Sequence, residues 1–213
     1  MKKLNVILVS VVGLLPVSAL AQKWEIGAVG GGSFYTKTDV KKGDASANAS
    51  FAPGFAAGFV LGQDIGRYWG GEIRYTFQRN DAKLDGSGGK AEFGAQAHLI
   101  HYDFLLHLSP SGSKTRPYIS FGAGIKHYRG SGNETVTQPL SEFALLTKST
   151  DTTPVAVLGF GVKFKVGEKS TVRVEVKDNI SPVPTKIITP NRGASVSGWL
   201  HNFTPMVGVS YNF

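Results

Sequence analysis

No cysteine occurs among the 213 residues, so no disulfide framework holds this chain together. Beyond the first twenty or so residues no apolar run approaches the length of a spanning helix, which excludes a helical membrane protein. Helical periodicity is scarce throughout, and there is no nucleic-acid-binding motif. Nor is there a Pro/Ser-rich linker or a break in composition, so one domain is expected. A spanning β-structure survives these exclusions, because its strands need only about 9–11 residues each and leave a weak hydropathy signal.

What is present begins with a leader. Lys2 and Lys3 precede an apolar run from Leu4 to Val17, followed by Ala19-Leu20-Ala21. A charged start, a short apolar stretch and small residues at the expected cleavage point read as a secretory signal peptide over residues 1–21. Removing 21 of 213 residues leaves 192, enough for one large β domain over 22–213. An exported chain without disulfides takes its stability from a sizeable core or from a bilayer. The formal net charge of +8 falls to about +6 once Lys2 and Lys3 are gone, which suits anionic lipid head groups as partners but equally suits scattered surface lysine.

Period-2 patterns recur along the mature region and predict eight strands, at about 23–35, 51–62, 67–79, 92–108, 116–129, 154–166, 170–182 and 200–213. Their connections alternate. Gln63-Asp64-Ile65-Gly66, Ser109 to Ser113, and Gly167-Glu168-Lys169 are short and turn-like. TKTDVKKGDASANAS, NDAKLDGSGGKA, residues 130–153 and residues 183–199 are long. An up-and-down meander with one tidy rim and one elaborate rim is the layout of a transmembrane β-barrel, with short periplasmic turns and long outer loops.

Strand faces are sharply divided. In TVRVEVKD, Val172, Val174 and Val176 oppose Arg173, Glu175 and Lys177; in GGEIRYTFQ, Glu72, Arg74, Thr76 and Gln78 oppose Ile73, Tyr75 and Phe77. Placing an Arg or Lys against hydrocarbon costs about 2–4 kcal/mol near the midplane, so a spanning barrel must turn the valines outward. A soluble lipocalin-like barrel would show the same alternation with the apolar face inward. The polar face, however, is rich in Gly and Ala, as a narrow lumen requires. Aromatics also gather near strand ends: Trp24, Tyr68, Trp69, Tyr118, Tyr211 and Phe213 at one rim, and Phe34, Tyr35, Tyr75, Phe77, Tyr128 and Trp199 at the other.

The last strand, TPMVGVSYNF, puts Val207, Val209, Tyr211 and Phe213 on one face. Gly208, Tyr211 and Phe213 resemble the C-terminal assembly signal of Gram-negative outer-membrane proteins; Met206 stands where that pattern prefers a polar residue. Together with the leader and the eight-strand layout, the mature chain resembles the small eight-stranded outer-membrane barrels of the OmpA transmembrane-domain and OmpX type. The resemblance implies a bacterial outer-membrane location, outer-membrane lipid and lipopolysaccharide as surroundings, and the barrel assembly machinery and periplasmic chaperones as partners in biogenesis. A monomer is expected; nucleic acid is a poor fit for an exported chain, and no periplasmic module is expected after the last strand.

The lumen should hold Glu72, Arg74, Asp103, Lys126, Lys163, Arg173 and Glu175, with Lys165 and Lys177 nearer the rims. Buried charges demand partners, so a structural network that plugs the barrel is expected. Because the named cations outnumber the acids, a narrow anion-leaning pore is the alternative. His101, Asp103 and His107 share a face, but His101 and His107 lie about 20 Å apart along one strand at about 3.3 Å per residue, too far for one metal. No metal, cofactor or catalytic residue is expected. Some barrels of this kind are lipid acyltransferases or deacylases, but the deacylases' His-x-Ser motif does not occur: Asn202 and Phe203 follow His201. Lys37, Lys41 and Lys42 in the first long connection form a basic patch suited to lipopolysaccharide phosphates or an acidic partner. Leu140, Phe143 and Ala144 sit at helical spacing and suggest a short helix capping the barrel mouth. The expected role is non-enzymatic, structural or in surface interaction.

A spanning barrel of this size should run at an anomalous position on a gel of the membrane fraction until it is boiled. Identical migration before and after heating, or recovery in aqueous buffer without detergent, would point to the soluble barrel instead.

Overall fold

In a computed structural model, residues 24–134 and 137–213 are described; the leader expected over 1–21 lies outside them. Eight long strands close into an antiparallel barrel: β1 (Trp24–Tyr35), β2 (Gly54–Asp64), β3 (Trp69–Arg79), β4 (Ala95–His107), β5 (Thr115–Gly130), β6 (Thr150–Lys165), β7 (Ser170–Pro182) and β8 (Trp199–Asn212). Each strand pairs with its sequence neighbours, and β8 closes on β1 with Glu25 opposite Asn212 and Tyr35 opposite Asn202. The backbones of Trp24 and Phe213 exchange hydrogen bonds of 3.0 and 2.9 Å, which carries the closure to the last residue. Closure leaves no barrel strand with an unpaired edge, the condition for backbone to lie in hydrocarbon.

The alternation of the sequence becomes inside and outside. Along β7, Arg173, Glu175 and Lys177 are buried in the lumen while Val174 is half exposed on the outer wall. The outer belt is apolar all round: Phe59 is 68% exposed, Phe160 64% and Val209 63%. Exposed Trp24, Tyr68, Trp69 and Tyr211 ring the short-turn end; Phe34, Phe55, Trp199 and Phe203 ring the other. Three aromatics expected in these girdles point inward instead. Tyr118 and Tyr128 are buried and Tyr35 half-buried, because each falls on the lumen parity of its strand.

Small residues sit beside the bulky ones, as their cross-strand partners on neighbouring strands. A Cβ on Gly161 of β6 would lie 2.6 Å from the Tyr118 hydroxyl and 2.8 Å from Glu175 Cβ. One on Gly159 would lie 2.8 Å from Lys177 Cγ. In an eight-strand barrel the interior is just wide enough for side chains, so each long ionic residue needs a vacated position opposite it.

At the long-loop end the connections fold rather than trail. Strands 38–42, 45–51, 82–86, 89–93 and 195–196 form a five-stranded sheet, and 144–146 pairs with 188–190. The sheet continues the barrel upward, but with reversed interior chemistry. Val40, Phe51, Leu84, Phe93, Phe143, Leu146, Ile187 and Leu200 pack there in one apolar cluster. Phe51, the first residue of the strand expected over 51–62, belongs to this cluster instead, because Ala52-Pro53 separates it from β2. No helix forms at Leu140, Phe143 and Ala144. Leu140 adopts φ +61°, a left-handed value that stops helical propagation, and Ala144 enters a short strand. All three residues are nonetheless buried in the cluster over the mouth.

Replacing Val174 with Arg should block assembly or strongly destabilise the barrel, at about 2–4 kcal/mol for an Arg facing mid-bilayer. Ser210→Ala, on the lumen face, should be mild; equal effects in refolding and heat-shift assays would mean the faces are reversed.

Candidate functional site

The lumen of the spanning segment is the most chemically dense region of the protein. Arg74 on β3 donates from both terminal nitrogens to the Glu175 carboxylate on β7, and from Nη2 to Glu72 Oε1 at 2.6 Å. Arg173 donates from Nη1 to Glu72 Oε2 at 2.9 Å and from Nη2 to Glu25 Oε1 on β1. Lys163 on β6 completes Glu25 with a bond of 2.6 Å to Oε2. Lys177 donates to Asp103 on β4 and to Ser120 on β5, with Glu72 at 3.5 Å. The Tyr118 hydroxyl donates to Glu175, and His101 bonds Asp103 at 2.7 Å. Six strands are thereby tied through side chains alone, and Arg74 and Arg173 have no solvent exposure.

Of the seven expected lumen residues, Glu72, Arg74, Asp103, Lys163, Arg173 and Glu175 meet in this network. Lys126 lies apart from it, with its ammonium donating to Asn202 Oδ1 at 2.8 Å and sitting 4.6 and 5.1 Å from the ring centres of Tyr35 and Tyr128. Lys177, expected nearer a rim, is inside the network, whereas Lys165 is exposed. Glu25 was not among the expected residues. Its signal is the single acid between outward Trp24 and Ile26 in WEIG, and it changes the balance: Glu25, Glu72, Asp103 and Glu175 are matched by Arg74, Lys163, Arg173 and Lys177. The expected excess of cations in the network is therefore absent.

Above the ions lies a layer of neutral polar groups. Asn202 donates to Ser33 Oγ at 2.9 Å, Asn179 donates to the Asn202 carbonyl at 3.1 Å, and Tyr35 donates to Gln78 at 3.1 Å. Phe51 stacks on Tyr128 and packs on Tyr35, with ring centres 5.6 and 4.8 Å apart, and the apolar cluster closes the space above. The lumen thus runs from ionic through amide to apolar.

The remaining expected positions are dispersed. Lys37 and Lys41 are exposed and line an open groove with Asp39, Ser195 and Ser197, while Lys42 is half-buried on the opposite face of its strand, beside Val40. On β8, Tyr211 and Phe213 stack outward with centres 6.5 Å apart. Gly208 faces inward, where a Cβ would lie 3.1 Å from Arg173 Cγ. Among the described residues no group of three or more His, Asp or Glu could hold a metal ion.

The family model described as outer membrane protein beta-barrel domain matches residues 7–213. No curated protein matches the sequence significantly. Among solved structures, Neisserial surface protein A is similar at a TM-score of 0.56 and 12% identity, covering 89% of this chain and 97% of that one. The outer membrane protein OprG from Pseudomonas aeruginosa is similar at 0.50 and 15%, covering 89% of this chain and 95% of that one. At such identities the likeness concerns the fold.

Glu72→Gln should lower the unfolding free energy by about 3–5 kcal/mol, because it removes one of the four buried acids and leaves four buried cations facing three. Glu92→Gln, which breaks the partly exposed Lys83–Glu92 pair at 3.2 Å, should cost less than about 1 kcal/mol. Urea titration in micelles measures both; similar costs would mean the network does not govern stability.

Proposed function

The chain belongs to the family of outer membrane protein β-barrel domains and resides in the bacterial outer membrane, and we propose that within it this protein works without catalysis, as a structural and surface-interaction barrel acting through its folded outer loops. The observation that carries this reading is the filling of the bore. Matched ions occupy the membrane level, and an apolar core made by the loops occupies the outer mouth. The side chains that fill both layers are buried, which favours a plugged bore over an open water path. The loops supply the rigid surface instead, since five of their strands form one sheet.

On this reading Lys37 and Lys41 contact acidic groups outside the cell, such as lipopolysaccharide phosphates or an acidic partner, through the groove they share with Ser195 and Ser197. Gly208, Tyr211 and Phe213 serve earlier, as the segment that the barrel assembly machinery and periplasmic chaperones recognise. The protein acts as a monomer and needs no cofactor. A narrow anion-leaning pore draws less support, because Glu25 evens the charges of the network. A lipid-modifying enzyme draws little. His201 and Asp178 bond at 2.6 Å on the outer face, yet among the described hydrogen bonds no hydroxyl reaches that ring to complete a nucleophilic triad.

In planar bilayers the protein should give no steady openings, and lipid A and phospholipid profiles should be unchanged by deletion or overexpression. Steady anion-selective openings, abolished by filling substitutions near Lys126 or Arg173, would establish the pore; altered lipid profiles would establish the enzyme.

A further inference from the structure

Toward the long-loop end the outer wall changes character row by row, and the strand register fixes where. Ile100 on β4 pairs with Tyr75 on β3 and Ile125 on β5, the last row of the apolar belt on these strands. Two residues further out, Phe77, His98 and His127 lie side by side. Polar bonding begins here: the Tyr75 hydroxyl meets His98 Nδ1 at 2.8 Å, and His127 Nδ1 meets Thr152 Oγ1 at 2.8 Å. Two residues beyond stand Arg79, Gln96 and Arg129, again paired directly across β3, β4 and β5. Their neighbours Gln78, Ala97 and Tyr128 are buried in the bore, so this row points outward.

Arg79 and Arg129 are exposed, with half-buried Gln96 between them. Adjacent strands lie about 4.8 Å apart, so the two arginine backbones are about 10 Å apart, close enough for both side chains to close on one headgroup. The exposed ion pairs at this end use Lys83, Lys90, Lys186 and His201. Among the described residues neither Arg79 nor Arg129 has an acidic partner. Asp81, the acid nearest Arg79 in sequence, is exposed one step further out.

Depth and charge select the ligand. The row lies four residues beyond Ile100 and Ile125, about 13 Å along the strand at about 3.3 Å per residue, where hydrocarbon gives way to headgroups. A free guanidinium fork takes two phosphate oxygens. A zwitterionic headgroup would bring a cation between two arginines, with no acid in the row to receive it; a phosphomonoester brings only negative charge.

We infer that Arg79, Gln96 and Arg129 form a binding site on the outer wall for the phosphate headgroup of an outer-leaflet lipid. The site stands on strands β3 to β5 and does not rest on the role proposed for the loops or for Lys37 and Lys41.

Side-chain ¹⁵N NMR of the full barrel in maltoside micelles tests it. Dihexanoyl phosphatidic acid, dihexanoyl phosphatidylcholine and inorganic phosphate are titrated in separate arms at matched ionic strength. The Nε–H resonances of Arg79 and Arg129 should shift saturably with phosphatidic acid, and about tenfold more weakly with the other two. Arg192, exposed in a loop turn, is the internal reference and should not follow. Arg79→Gln and Arg129→Gln should each weaken the affinity for phosphatidic acid about fivefold. A linear shift, an equal shift at Arg192, or equal affinity for phosphatidylcholine overturns the site. Inorganic phosphate binding as tightly as phosphatidic acid overturns the lipid as its ligand. So does unchanged affinity in both variants, once heat-modifiable migration shows them folded. If a variant does not fold, the three arms on the unaltered protein decide alone.

Discussion

Hydrocarbon gives a charge nothing to bond with, and the rest of this structure follows from that constraint. A chain carrying Arg74, Lys163, Arg173 and Lys177 in spanning strands can exist in a bilayer only if every one of them turns inward. Once inside a narrow bore they must also find partners, and Glu25, Glu72, Asp103 and Glu175 provide them from other strands. Positions such as Gly159 and Gly161 are small because the long side chains need the room. Valine, phenylalanine and leucine then cover the outer wall, where lipid replaces the protein core that a soluble barrel would have built within.

The outer end obeys the opposite rule. Beyond the membrane, water bathes the outside of the sheet, so the apolar residues of the loops turn inward and pack as in an ordinary soluble domain. The two regimes meet at Lys126, which lies beyond the reach of the acids and is held by Asn202 and two tyrosine rings. A barrel that is ionic at one level and oily at the next is closed twice, by unlike interactions. Such closure fixes the folded loops to a stiff base.

The spanning strands were legible because period 2 and the cost of exposed charge leave one face assignment. β7 runs over 170–182 both in the pattern and in the structure. Depth was less legible than face. Lys177 reads as a rim residue from its place near the end of a strand, but the pairing of β7 with β6 and β8 sets it opposite Gly159 and Thr204, level with Asp103. Register is a property of neighbouring strands, and one strand's sequence does not state it. Glu25 went unnoticed for a related reason: a lone acid between Trp24 and Ile26 carries no motif, and only closure of β1 on β8 brings it to Arg173 and Lys163. The loop strands were hidden by their lysines, glycines and serines, and Leu140 by a left-handed backbone that its helical spacing conceals.

The most direct test uses the missing cysteine. Single cysteines placed in turn at positions 206 to 211 of β8 in the otherwise cysteine-free chain can carry spin labels, and oxygen dissolved in the bilayer reports which of them face lipid. The account predicts strong relaxation by oxygen at 207, 209 and 211 and weak relaxation at 206, 208 and 210. The opposite phase, or no alternation, would contradict it.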